Sequence, residues 1–400
     1  MKTSEIDKAV LDIKTEIQHE PTSDNYFQID VLKAIMIFLV IFDHTIPWVY
    51  KDYMGVQLWE RISIPVFLVI LGFNMGLSFQ RTGEKSLIKL YSWKYFKKKF
   101  WRYIWPFIML YVISSIVGFL LDGLNAFTQY EHGGFSFENL FLGILPFWGP
   151  GNWFLPVLFI SILIMPLLYK GFSGKWIWSA ITLILCYVVE FSTYLFLYFG
   201  FYHNPFPTWD SYYTWLFVRL TIGITPFSML SAIGLGFLLS RNTKLFAKQN
   251  LIIWILFPIS FFYLFQRAFL ANFLRGIPPF QYLTGDYHLF VFPYSALIVL
   301  LMINLLPRNS NNFLARGIKI ISKSTYHILL TQIFYFAIVV ALYGDHYSAS
   351  IFGINPSNII INLVYLIMNW AICIPIGILW WYLENFTIRT YHKKEKINRK

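Results

Sequence analysis

Ten runs of roughly 20 mostly apolar residues dominate the chain, each long enough to cross a hydrocarbon core about 30 Å thick as a helix. They lie near 28–50, 58–79, 100–121, 153–169, 176–200, 213–240, 251–266, 284–306, 319–343 and 357–382. In lipid a backbone must satisfy its own hydrogen bonds, which makes such runs helical. The expected fold class is therefore all-α, a polytopic membrane protein with about ten transmembrane helices. Composition points the same way: 57% of the 400 residues are hydrophobic and only 13% charged, against about 25% charged in soluble domains. One soluble core could not hide that much apolar surface. The seventh run is short, and the stretch after it, with Pro278 and Pro279, suits a re-entrant path.

The formal net charge of +12 would suggest nucleic acid in a soluble protein. Here the basic residues sit in short connections, where they report topology. Segment 80–102 carries Arg81, Lys85, Lys89, Lys94, Lys97, Lys98, Lys99 and Arg102, whereas loop 122–152 carries neither Lys nor Arg. That alternation continues, with Arg267 and Arg275 as the one exception on the outer side. It predicts both termini on the cytoplasmic side. Residues 1–27 read as a cytosolic segment without a signal-peptide core, 28–382 as the membrane domain, and 383–400 as a basic cytosolic tail. Cys186 and Cys373 lie inside apolar runs and offer neither a disulfide framework nor a metal cluster. Walker loops and Gly-x-Ser-x-Gly elbows are absent from the sequence. Nucleotide hydrolysis and metal catalysis are not expected.

The first run carries Asp30, Lys33, Asp43 and His44. Charge inside a span is costly, so each is a candidate for function. Lys33 and His44 are eleven residues apart, close to three helical turns, and share a face separated by roughly 16.5 Å. That separation suits an extended pantetheine arm. A coenzyme A with its phosphates at Lys33 would bring its thioester toward His44, a residue suited to act as general base near neutral pH. Plain alternatives stand beside this: Asp30 capping the helix, Lys33 reaching for the interface, His44 bonding a neighbouring helix. Asp43 points about 100° away and suits pairing with another helix.

The segment Asp30 to His44 resembles the opening motif of the acyltransferase-3 family: a basic residue, ten intervening positions and a histidine on the first helix. Its Asp-x-x-Lys form is similar to the branch of fucose-4-O-acetylase-like and polysaccharide-modifying proteins. Three further segments resemble family elements: Ile64-Pro65-Val66-Phe67 through Leu71-Gly72-Phe73, Lys99-Phe-Trp-Arg102 followed by Pro106, and Asn152-Trp153-Phe154-Leu155-Pro156. Ser322 to Gln332 is a weaker match to a late Ser-Tyr segment. There are departures. Lysine stands at Lys33 and Lys99 where arginine is commoner, keeping charge but losing the bidentate fork. Leu71 replaces a usual serine, and Thr331 stands near a frequent histidine.

The resemblance implies an acetyl-CoA-dependent O-acyltransferase of the cell membrane. It would acylate a hydroxyl of a cell-surface or lipid-linked glycan, with acyl-CoA as co-substrate and no bound cofactor or metal. His44 would be the catalytic base, and Lys33, Lys99 and Arg102 would hold the donor. Glu60, Arg61, Trp153, Glu190 and Arg219 are acceptor or structural candidates. Trp153 suits either an aromatic belt or a sugar platform. Glu60 with Arg61 suits an exposed ion pair or the mouth near His44. Glu190 and Arg219 suit a cross-helix pair. Expected partners are acyl-CoA, a glycan and membrane lipids, but no nucleic acid; a homo-oligomer or a glycan-synthesis complex is compatible. A polytopic exporter of a small molecule or glycan is the main rival, although no inverted repeat is visible. A non-catalytic membrane subunit of a glycan-synthesis complex is the second.

Overall fold

The computed structural model describes residues 26–123 except 85, then 145, 149–199, 225–270, 274, 277, 280–283, 287–343 and 358–398. It does not describe the side chains at 122, 197, 281 and 388–398. The N-terminal segment up to residue 25, most of loop 122–152, Arg219, Pro278, Pro279 and the tail's side chains from 388 onward lie outside the described residues.

All regular structure among the described residues is helical. The principal helices are α1 (Phe27–Asp43), α2 (Ser63–Thr82), α3 (Trp105–Asp122), α4 (Phe154–Phe172) and α5 (Trp176–Leu197). They continue as α6 (Leu230–Arg241), α7 (Leu251–Phe269), α8 (Phe292–Leu305), α9 (Phe313–Tyr343) and α10 (Ile359–Asn398). Helix therefore falls within each expected run, residues 213–224 of the sixth lying outside the described residues. Seven stretches are long and apolar enough to cross a membrane: Val56–Thr82, Leu87–Leu121, Phe154–Phe172, Trp176–Phe196, Lys248–Phe269, Phe313–Tyr343 and Ile359–Thr387. The helices α1, α6 and α8 are shorter, and α1, with 17 residues, also carries three charges.

The helices sort by burial into an inner and an outer set. Every residue of α6 from Leu230 to Ser240 is buried. Its small residues let α2 come close: a β-carbon on Gly236 would stand 2.1 Å from the Val69 carbonyl, and one on Gly72 equally close to that of Ile233. Without a hydrophobic drive between helices in lipid, such backbone approach is a main source of association. Helices α1, α2, α4, α6, α8 and α9 form the interior. The outer helices turn apolar side chains outward, such as Leu120, Ile255, Ile360 and Val364. A lipid-facing surface has this pattern.

Two local features position the site. Before α3 the helix Trp93–Lys99 widens into a π-helical turn, Phe100–Ile104. Pro106 cannot donate the backbone hydrogen bond that an α-helix would send to Arg102, and a π-bulge accommodates such a loss. The turn carries Arg102 and follows Lys99. On the other side, α9 packs against both α1 and α10. Its Ile328 leaves no room for a side chain at Gly377, where a β-carbon would lie 2.5 Å from the Ile328 backbone.

Candidate functional site

A cavity of about 650 Å³ opens between α1, α2, the π-turn, α9 and α10. At one end Lys33, Lys98, Lys99, Arg102 and Lys323 line it, against two carboxylates, Asp30 and Glu384. Both carboxylates are already engaged. Asp30 Oδ1 accepts from Ser322 Oγ at 2.5 Å, and Glu384 Oε2 lies 2.8 Å from His327 Nε2. Among the described residues none of the five cations forms an ion pair. The ammonium of Lys99, 7% exposed, instead faces the Met75 sulfur at 2.8 Å, a weak acceptor. It also lies 5.6 Å from the Tyr103 ring, as Arg102 does at 5.2 Å. Five cations against two carboxylates leave this end net positive, which suits an anion. The Tyr103 carbonyl accepts from Tyr326 Oη at 2.7 Å, tying the π-turn to α9.

Beyond this rim the lining becomes apolar, with Ile37, Val40, Ile64, Phe67, Phe154 and Leu158. The lining ends on α1 at Val40, one turn and about 6 Å short of His44. His44 caps the C-terminus of α1 in a near-helical conformation. Its ring lies against Phe336 with centroids 6.1 Å apart. Its Nε2 faces Gly151, where a β-carbon would stand 3.4 Å away.

The residue beside it anchors a charge network. Asp43 pairs with Lys51 at 2.6 Å and with Arg61 at 3.1 Å. Arg61 also meets Glu60 at 3.4 Å, stacks over Trp48 at 4.1 Å and donates to Tyr287 Oη at 3.5 Å. Trp153 stacks on Tyr287, with centroids 5.4 Å apart and planes 24° apart. Glu60 and Arg61 are buried, so the exposed ion pair weighed from sequence is corrected to a buried one. Burying charge demands pairing of this kind.

The structure thus brings Lys33, Lys99 and Arg102 to one cavity, and Glu60, Arg61 and Trp153 to the His44 end of α1. Glu190 joins neither group. Its carboxylate accepts from the backbone N–H and hydroxyl of Ser231, at 3.0 and 2.6 Å, in the first turn of α6. A carboxylate there satisfies orphan N–H groups and complements the helix dipole. Its expected partner Arg219 lies outside the described residues.

Several residues escaped the sequence reading. Lys51, from the short helix Trp48–Lys51, and Tyr287, from the approach to α8, complete the Asp43 network. His327, together with Glu384, also lines the cavity. The signal was weak, because 57 positions separate the pair and only the α9–α10 contact joins them.

Comparison with known proteins agrees over most of this length. A family model described as an acyltransferase domain matches residues 26–380. No curated protein and no solved structure matches.

Proposed function

The chain belongs to the acyltransferase-3 family and is a membrane acyltransferase, and from that premise we propose that it moves an acetyl group from cytoplasmic acetyl-CoA to a hydroxyl of a cell-surface or lipid-linked glycan. One observation carries the donor assignment: five cations face a cavity lined by two carboxylates, an excess of positive charge. The phosphates of coenzyme A supply the missing negative charge. Lys33, Lys99 and Arg102 hold them, Arg102 with the fork geometry that lysine lacks. The pantetheine arm then follows the apolar wall along α1 toward Val40 and brings the thioester to His44.

At that point His44 Nε2 takes the proton of the acceptor hydroxyl as the oxygen attacks the thioester carbonyl. The carbon–sulfur bond breaks, the ester forms, and the departing thiolate takes the proton back from the imidazolium. Asp43, held by Lys51 and Arg61, fixes the end of α1 on which His44 sits. The working topology is ten crossings in the cell membrane with both termini cytoplasmic, which puts the cationic rim where acetyl-CoA is found.

The test is acetyl-CoA binding and transfer in proteoliposomes for wild type, Lys33→Ala, Arg102→Ala and His44→Ala. The expected result is weaker binding in the first two variants. His44→Ala should keep its binding and form no ester. Undiminished transfer by a well-folded His44→Ala would overturn the mechanism, and absence of coenzyme A binding at millimolar donor would overturn the donor assignment.

A further inference from the structure

Asn74 lies on α2, inside the apolar stretch Val56–Thr82. It lines the cavity, half-buried, and among the described residues it forms no hydrogen bond. Amides on other helices do find partners. Gln28 donates to the Ile303 carbonyl at 3.2 Å, Gln332 to that of Pro150 at 3.0 Å, and Asn369 to the Thr45 hydroxyl at 2.9 Å. Bonds of this kind are the ordinary purpose of an amide within a span. Asn74 instead presents its side chain to the cavity, and Ser78, about one turn on, joins it in the lining.

Its place along α2 shows which end of the donor it meets. Arg61, just before α2, pairs with Asp43 beside His44, so α2 runs away from His44. Along it the lining passes from Ile64, Phe67 and Leu71 to Asn74 and Ser78. Asn74 stands roughly 15 Å along the helix from Ile64. The sulfur of its neighbour Met75 meets the Lys99 ammonium at 2.8 Å, which puts Asn74 at the cationic rim. With the thioester at His44, the nucleotide of coenzyme A occupies this end. The cations serve its phosphates, whose oxygens accept. The base offers donors and acceptors side by side, and an amide carries both complements. Trp101 and Trp381 line the same cavity. An indole face stacks on a base without choosing among bases, so the choice falls to a hydrogen-bonding group.

We propose that Asn74 reads the adenine of the donor, its side-chain carbonyl accepting from the exocyclic N6 amino group and its NH2 donating to N7. This rests on the acyl-CoA reading and deepens it: the site selects an adenine nucleotide thioester rather than any phosphorylated thioester. An asparagine amide matches that adenine edge, whereas guanine presents two acceptors there and leaves the asparagine oxygen without a donor. Discrimination then comes from a polar group of the site left without its partner.

The experiment measures equilibrium binding to the full chain in nanodiscs by titration calorimetry. The ligands are acetyl-CoA, adenosine 3′,5′-bisphosphate and guanosine 3′,5′-bisphosphate; the two bisphosphates differ only in the base and carry no pantetheine. The proteins are wild type, Asn74→Leu, Asn74→Ser and Arg102→Ala. Wild type should bind the adenosine ligand about tenfold more tightly than the guanosine one, within the range for a bidentate amide–base pair. Both Asn74 variants should bring that ratio near one by losing adenosine affinity, and should weaken acetyl-CoA by a similar factor. Guanosine 3′,5′-bisphosphate should still bind them, which shows the site intact. Arg102→Ala should weaken both bisphosphates alike and keep the ratio. A wild-type ratio near one, or a ratio unchanged in the Asn74 variants, would overturn the proposal. Weaker acetyl-CoA binding with both bisphosphates unchanged would also overturn it, by assigning Asn74 to the pantetheine arm. If wild type binds no acetyl-CoA at millimolar concentration, the donor reading itself has failed.

Discussion

The two ends of α1 treat charge in opposite ways. At the Lys33 end five cations surround a cavity and, among the described residues, form no ion pairs, while the nearby carboxylates meet Ser322 and His327. At the His44 end Asp43, Lys51, Arg61 and Glu60 neutralise one another at distances of 2.6 to 3.4 Å. Unmatched charge marks a place where a ligand brings the counterion. Matched charge marks a place whose shape must not change between turnovers, because a base there needs fixed geometry. The proposed donor end is thus left net positive, and the proposed base sits beside a closed charge network. The comparison is sharpest in what each end loses on mutation.

The largest effect belongs to His44. Replacing it with alanine should lower the transfer rate by about 10²–10⁴-fold, the range for a positioned general base. Acetyl-CoA affinity should stay within about twofold, because the cationic rim is untouched. Equilibrium binding and single-turnover transfer on the same preparation would show the split. A large loss of donor affinity would erase the distinction between the two ends.

Next is the matched network. Lys51 is fully buried, and Lys51→Met leaves the Asp43 carboxylate with Arg61 as its remaining described ion-pair partner. Breaking a buried pair typically destabilises by about 3–5 kcal/mol. The expected outcome is a clear fall in the detergent unfolding midpoint. Changing the unmatched end should do the reverse: Lys33→Ala should leave the midpoint nearly unchanged, or raise it by relieving repulsion from Arg102. In binding, Lys33→Ala and Arg102→Ala should each raise the acetyl-CoA Kd by about 10–100-fold, as for hydrogen bonds to charged groups. Titration at rising salt should weaken wild type more steeply than either variant. Equal destabilisation at both ends would break the comparison.

How much of this was visible in the sequence follows from the same division. The unmatched end was legible because its residues lie within local motifs: Lys33 on the first apolar run, Lys99 and Arg102 one turn apart before Pro106. A charge without a partner stands out against an apolar background. The matched network was visible only in pieces, Asp43 as a charge in need of a partner and Glu60 with Arg61 as a pair, since its members come from α1, the turns before α2 and the approach to α8. Nothing local marks Lys51 as the partner of Asp43. The π-turn was also invisible, because Pro106 signals a break without saying how the backbone absorbs it. His327 looked isolated until α10 delivered Glu384. Helix existence was plain from hydropathy, but the brevity of α1, α6 and α8 was not. Those helices are interior, and neighbouring helices rather than lipid set their lengths.

Glu190 gives the smallest effect and tests whether the comparison is complete. It is a buried carboxylate outside both ends, bound to the N–H and hydroxyl of Ser231 where α6 begins. Glu190→Gln keeps an acceptor oxygen for both bonds, removes the charge and puts an NH2 donor in place of the second oxygen. The loss should be limited to the helix-dipole contribution, about 0.3–1 kcal/mol in exposed settings and up to ~2 when buried. Transfer rate and acetyl-CoA affinity should remain near wild type. An exporter that moves its substrate by way of Glu190 demands the opposite, a large functional loss with little change in stability. Measuring the unfolding midpoint and the transfer rate of this one variant therefore separates a helix clamp from a transport residue. If function collapses while the midpoint holds, a third functional region exists and the division between a net-positive and a closed end is too simple.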